Sequence, residues 1–225
     1  VACAVLGVVI ERIAYKPLRN SNRIAVLITA IGVSLLLEYV MMFFVGADIQ
    51  SYPMLPDYLM TGFSVGGVVI SMQSILIIGV SVVLMIGLNF IVQRTRLGKA
   101  MRAVSMDADA AKLMGIDVDN TISFTFALGS ALAVAAGVLV GVYYISINPL
   151  MGILPGLKAF VAAVFGGIGL IPGALLGAFF IGTAETLVSG YVNSLFRDAV
   201  VFAILIAVLI FKPSGLLGKN VREKV

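Results

Sequence analysis

RTRLGKAMRAVSMDADAAKLMGIDVDN (94–120) carries five cations between two long apolar runs. The runs at 71–92 and 124–144 are each near the roughly 20 residues a helix needs to cross a bilayer. A polar loop that is itself patterned as a helix is built to touch something. Leu97, Met101, Val104, Ala108 and Ala111 recur at spacings of four, three, four and three, which puts them on one helical face. Lys99, Arg102, Asp109 and Lys112 fall largely elsewhere on the wheel, and Gly115 is placed to end the helix. A helix lying among lipid headgroups with snorkelling cations would show the same pattern. We read it instead as a docking helix for a soluble partner, its apolar face in the partner's cleft and Arg102 at the rim.

Composition agrees with the flanking runs. Apolar residues make up 61% of the chain and charged residues 12%, with a mean hydropathy of +1.14. Soluble domains carry roughly 45–50% and about 25% respectively, so the chain is an integral membrane protein. Its net charge of +4 is not spread as nucleic-acid binding would require. Thirteen of the 15 cations fall in clusters at 12–23, 94–112 and 212–224, leaving only Lys158 and Arg197 outside them. The stretch 46–70 has Asp48 and Asp57 but no Lys or Arg. Cations are retained on the cytoplasmic side of membrane proteins. The three clusters and the C-terminus are therefore expected in the cytoplasm, and loop 46–70 outside.

The expected architecture is all-α: one transmembrane bundle over 1–225, with short or broken helices in its C-terminal half. Spans are predicted at 23–45, 71–92 and 121–144. The external loop holds Pro53, Pro56 and several glycines, which suits a connection with a short hairpin. Ala133, Gly137 and Gly141 follow a spacing that permits close helix contact. Beyond Tyr144, Pro149, Gly152, Pro155 and Gly156, then Gly166, Gly167, Gly169, Pro172 and Gly173, interrupt the apolar pattern. Broken segments at membrane depth occur where they are buried in protein or line a cavity. A short crossing before Gly169, a return over 172–190 and a last helix over 199–211 satisfy the parity of the ends; a re-entrant pair plus one crossing does so equally. The chain begins with Val1 in an apolar stretch of about ten residues, half a span by the length rule, and further N-terminal helices are expected ahead of it. Neither a basic leader region nor an A-x-A-like site marks that stretch as a signal peptide.

Two acids interrupt apolar spans. Glu38 lies in LLLEYVMMFF and Glu185 in an otherwise neutral run. A carboxylate in a membrane helix costs a few kcal/mol and faces a bundle interior, either on a translocation path or in a structural ion pair. Lys158 and Arg197 are the cations available for such a pair. Glu38, Glu185 and Asn148 are taken as candidate pathway residues, although Asn148, with Tyr143 and Tyr144, also suits an interfacial anchor.

Several chemistries are excluded. With no His, Ser-His-Asp and Cys-His catalysis and the usual zinc sites are unavailable. Cys3, the single cysteine, has no intrachain partner and reads as packing. Gly98-Lys99 and Gly218-Lys219 lack the other residues of a phosphate-binding loop. Any ATP would be bound by another chain. Asp107, Asp109, Asp117 and Asp119 sit in a helical pattern rather than a D-x-D-x-D-G loop, so no metal and no cofactor are expected.

Asp109-Ala110-Ala111-x-x-x-Gly115 resembles the EAA-x-x-x-G signature of bacterial ABC importer permeases, with Asp in place of Glu. ERIAYKPLRNS (11–21), ITAIGVSLLLE (28–38), RLGKAMRA (96–103), AAKLMGI (110–116), INPLMG (147–152) and LKAFVAAVFGGIGLIPGALLG (157–177) look like one branch, the permeases of branched-chain amino acid importers. The resemblance runs over most of 11–225. It implies a non-enzymatic, multi-pass subunit of the bacterial inner membrane. Its implied partners are a second related permease, two cytoplasmic ATP-binding subunits and a periplasmic substrate-binding protein. ATPase coupling would then fall to Leu97, Met101, Arg102, Val104, Ala108, Asp109, Ala111 and Gly115. The competing expectation is a secondary transporter or channel for a small polar solute, using the intramembrane acids.

Overall fold

The computed structural model describes residues 1–19, 21–52, 62–65, 68–167, 169–212 and 215–218. Pro53, Pro56 and Asp57 of the external loop, Ile168, and the C-terminal Lys219, Arg222 and Lys224 lie outside these. Two compact units divide the chain at Leu150/Met151.

The first unit opens with α1 (Ala2–Ile10), which runs on through a π-helical turn (Glu11–Tyr15) and a 3-10 turn (Lys16–Leu18). Cys3 is exposed on α1 rather than packed, a correction to the sequence expectation. α2 (Arg23–Val45) starts where Asn22 accepts from the Ile24 amide at 3.5 Å and stops at Gly46. Strand β1 (Gln50–Ser51) and the hairpin β2–β3 (Gly62–Val65, Val68–Ser71) follow, so the external loop does hold a hairpin. α3 (Met72–Arg94), the helix pair α4 (Arg96–Met106) and α5 (Ala108–Leu113), and α6 (Val118–Tyr144) are the other helices described in this unit.

β4 (Ser146–Ile147) then pairs antiparallel with β1. That ribbon sits at the end of α6, where the Tyr52 amide donates to the Ile145 carbonyl at 3.1 Å and Gln73 donates to that of Val142. Gly141 is covered there by the Tyr52 ring, while Ala133 and Gly137 stay exposed. Among the described residues, the small-residue spacing on α6 receives a ring at Gly141.

The second unit is a helical hairpin plus one helix: α7 (Ile153–Gly166), α8 (Ile171–Tyr191) and, after a 3-10 turn at Ser194–Phe196, α9 (Arg197–Phe211). Its core is Val161, Ala162, Phe165, Ile181 and Val201. Phe165 stacks on Phe180 at 4.9 Å between centroids. α7 and α8 meet backbone to backbone at Gly166 and Gly173, where a Cβ on either would overlap the other's carbonyl. The FGGIGLIPG stretch therefore makes a tight turn that no larger residue would permit. Residues 215–217 return to α7: the Leu216 amide donates to the Phe165 carbonyl at 2.8 Å and that of Leu217 to Gly166 at 3.2 Å. Two carbonyls that a helix end leaves unpaired are thereby satisfied.

Among the described residues, five helices are long and apolar enough to cross a membrane: Ile24–Val45, Met72–Arg94, Val118–Tyr144, Ile171–Tyr191 and Ser194–Phe211. α7, with 14 residues, is about 21 Å long at 1.5 Å per residue, short of the roughly 30 Å hydrocarbon core. The apolar windows of α2 and α3 are 0% buried within the chain, as suits helices whose solvent is lipid. This is the expected all-α membrane architecture, with the short element in the C-terminal half.

Candidate docking loop and charge clusters

Thr95 turns α3 into α4. Its hydroxyl donates to the Ile91 carbonyl at 2.5 Å and accepts from the Gly98 amide at 3.0 Å, so one side chain serves the end of one helix and the start of the next. The single helix expected over 96–115 is in fact two. At Asp107 the backbone is extended (φ −157°, ψ 109°), and its Oδ1 accepts from the amides of Asp109 at 3.0 Å and Ala110 at 2.9 Å. A short carboxylate bonding to nearby amides competes with the helical ladder and favours a cap over a continued helix. Periodicity alone does not register that competition.

Gly115 ends α5 at φ +82°, as expected. Its amide donates to the Lys112 carbonyl at 3.0 Å, and that of Ile116 to Ala111 at 3.0 Å. That paired closure requires a left-handed residue just past the helix.

The break redistributes the expected face. Ala111 is 4% exposed, turned into the body of the chain, and Met101 and Val104 are half-buried where α4 packs on α3 and α6. Leu97, Ala108, Asp109 and Gly115 are exposed, as is Arg102, which donates to Gln93. The apolar groups that protrude furthest were not singled out from the sequence: Met106, Leu113 and Met114, each more than four-fifths exposed. Their signal was available, since all three fall off the apolar stripe and so point away from whatever the stripe packs on.

Two charge clusters lie elsewhere. In the first unit, Glu11 is fully buried, and both its oxygens are engaged: Arg19 binds one, and the Ser123 hydroxyl donates to the other at 2.7 Å. Arg19 also reaches Asp119, which Lys16 meets at 2.6 Å. This set ties 11–19 to the first turn of α6, beside Tyr15 and Phe126, whose rings are 5.2 Å apart. The sequence marked Glu11 only as the first residue of ERIAYKPLRNS and Asp119 only as part of an acidic run.

In the second unit, Glu185 on α8 is 9% exposed. Lys158 Nζ on α7 lies 2.5 Å from its Oε1 and 2.7 Å from Asp198 Oδ1, and Arg197 on α9 lies 3.6 Å from Glu185 Oε2. Lys158 and Arg197, the cations noted for such a pair, are the ones that meet Glu185. Glu38, half-buried on α2, accepts from Ser34 one turn earlier at 3.1 Å. Asn148 accepts from the Leu150 amide at 3.0 Å in a local turn. Glu38 and Asn148 each bond within their own segment; Glu185 bonds across helices.

Residues 1–209 match the model of a family described as the branched-chain amino acid transport system / permease component. The chain belongs to that family. It is 44% identical over its whole length to the high-affinity branched-chain amino acid transport system permease protein BraD of Pseudomonas aeruginosa, covering 74% of that protein. Identity to the high-affinity permease protein LivH of Escherichia coli K12 is 41%, with the same coverage of both chains. To the probable branched-chain amino acid transport permease protein LivH of Methanocaldococcus jannaschii it is 36%, over 62% of this chain and 46% of that one. No solved structure matches the chain. Family membership makes this a transport permease subunit of a multi-pass membrane protein class, not an enzyme.

Proposed function

We propose that this chain is the membrane-spanning subunit of an ATP-driven importer of branched-chain amino acids. Residues 94–116 are the surface on which a cytoplasmic ATP-binding subunit docks. The observation that carries the docking surface is the pair α4–α5. A cap at Asp107 and a left-handed close at Gly115 hold Met106, Leu113 and Met114 away from the chain, among exposed Arg96, Lys99, Arg102 and Lys112. Apolar anchors rimmed by charge are the usual composition of a binding patch. Ala111 supports that shape from within, Gly115 closes α5, and Asp109 sits in its first turn.

A second related permease, a second ATP-binding subunit and a substrate-binding protein on the outer face complete the assembly, in a bacterial inner membrane with the basic loops inside. Closure of the ATP-binding subunits pushes α4–α5. Because α5 joins α6 through only Met114 to Asp117, the push passes directly into a spanning helix, and access alternates between the two sides.

Leu113→Asp tests this. The side chain is exposed, so the variant is expected to insert and fold as the parent does. It should lose ATP-binding subunit capture and uptake together, by on the order of tenfold or more, as for a centrally placed anchor. Uptake that persists without any ATP-binding subunit, and collapses with the proton gradient, would instead support a secondary transporter.

A further inference from the structure

We infer that Lys158, Glu185, Asp198 and Arg197 form a binding site for the charged end of a zwitterionic α-amino acid, on the transport path of the second unit. The inference rests on the importer reading above and adds to it the place where the substrate's two charges are held.

An amino acid carries a carboxylate and an ammonium however apolar its side chain is. Moving either into a low-dielectric region costs several kcal/mol unless an opposite charge receives it. A receiving site must therefore offer both signs close together, on helices otherwise apolar. The cluster does so with two cations and two carboxylates drawn from α7, α8 and α9. Its members alternate in sign: Arg197 to Glu185 at 3.6 Å, Glu185 to Lys158 at 2.5 Å, Lys158 to Asp198 at 2.7 Å. Exposure is graded along it. The side chains of Glu185 and Lys158 are 11% and 20% exposed, while those of Asp198 and Arg197 are both 46% exposed. The set is thus buried at one side and open at the other.

Two features separate it from a finished structural clamp. Glu185 Oε1 is buried and touches Lys158 Nζ, yet the approach is not aligned as a hydrogen bond. That oxygen has charge compensation without a directional donor, which a ligand ammonium would supply. Lys158 carries three N–H donors and lies between the two carboxylates at 2.5 and 2.7 Å. In the bound state the ligand carboxylate takes Lys158, flanked by Arg197, and the ligand ammonium takes Asp198 and Glu185 Oε1. Leu154, one helical turn before Lys158 and half exposed, offers apolar surface on the same face for the ligand's side chain.

A buried ion pair replaced by apolar side chains of similar size is often neutral or stabilising. Lys158→Met with Glu185→Leu therefore separates the two roles. In the assembled transporter, reconstituted with its ATP-binding and substrate-binding subunits, the double variant is expected to assemble as the parent does. Labelled leucine uptake should fall on the order of tenfold or more, the loss expected for removed charge-assisted contacts. Lys158→Arg should keep most of the uptake. With the parent complex, 4-methylpentanoate and isopentylamine, which each lack one of the two charges, should compete with leucine more weakly than valine does.

Unchanged uptake in the double variant overturns the site. So does failure of both the double variant and Lys158→Arg to assemble, which would make the cluster a clamp. A parent complex that takes up no leucine with ATP present would instead count against the importer reading itself.

Discussion

The charge cluster around Glu11 and the one around Lys158 use the same chemistry to opposite ends. In the first, the central carboxylate is fully buried and each of its oxygens has a donor, from Arg19 and from Ser123. The second leaves one buried carboxylate oxygen without an aligned donor, and two of its four members are half exposed. A satisfied cluster rigidifies what it joins; one with an unaligned oxygen and an open side can exchange partners. Burial is therefore a poorer guide to a binding role than whether the hydrogen bonds are complete. Glu11, the more deeply buried of the two acids, is the one better explained as structure.

The sharpest way to break this contrast is to remove Glu11. Glu11→Ala leaves Arg19 partly buried and short of one partner, and breaking a buried pair on one side costs about 3–5 kcal/mol. Thermal unfolding of the solubilised protein should show that loss, with uptake falling only as the folded protein does. A variant of normal stability with lost uptake would move Glu11 from structure to transport.

A smaller change probes the same cluster. Ser123→Ala removes one neutral donor to a buried carboxylate, a contact worth about 1.5–3 kcal/mol. Its unfolding midpoint should lie between those of the parent and Glu11→Ala. An effect equal to that of Glu11→Ala would mean that the serine, rather than the arginine, holds the acid in place.

The least effect is expected at Glu38. It is half-buried and, among the described residues, bonded only to Ser34 on its own helix, so Glu38→Gln should change stability by no more than about 0.5 kcal/mol. Uptake is expected to stay within about twofold of the parent by the same estimate. A larger loss of uptake at normal stability would put Glu38 beside Glu185 on the path.

Much of the fold was legible because hydropathy and capping are local. The span expected at 23–45 coincides with α2, and those at 71–92 and 121–144 differ from α3 and α6 by three residues or fewer at any end. Gly115 as a helix stop was equally local, since only its own conformation and the carbonyls of the preceding turn enter. The loop at 94–120 was half legible. Its helical character and its end at Gly115 were read correctly, but one helix was expected where Asp107 caps a second. That break decides which apolar groups face outward.

What the sequence determined alone was the membrane class, the position of the spans up to Tyr144, and the absence of histidine and phosphate-loop chemistry. These depend on side-chain composition over windows of one helix or less. Tertiary structure decided which charges meet. Ser123 and Glu11 are 112 positions apart, and Arg19 and Asp119 are 100. A helical pattern relates residues three or four apart and is blind to such pairs, because their geometry is set by how α1 packs on α6. In the second unit the chain named Lys158 and Arg197 as the cations available to Glu185, but not Asp198, which a third helix supplies. Charge in an apolar span could suggest the pairs, but packing decided that all four groups share one cluster.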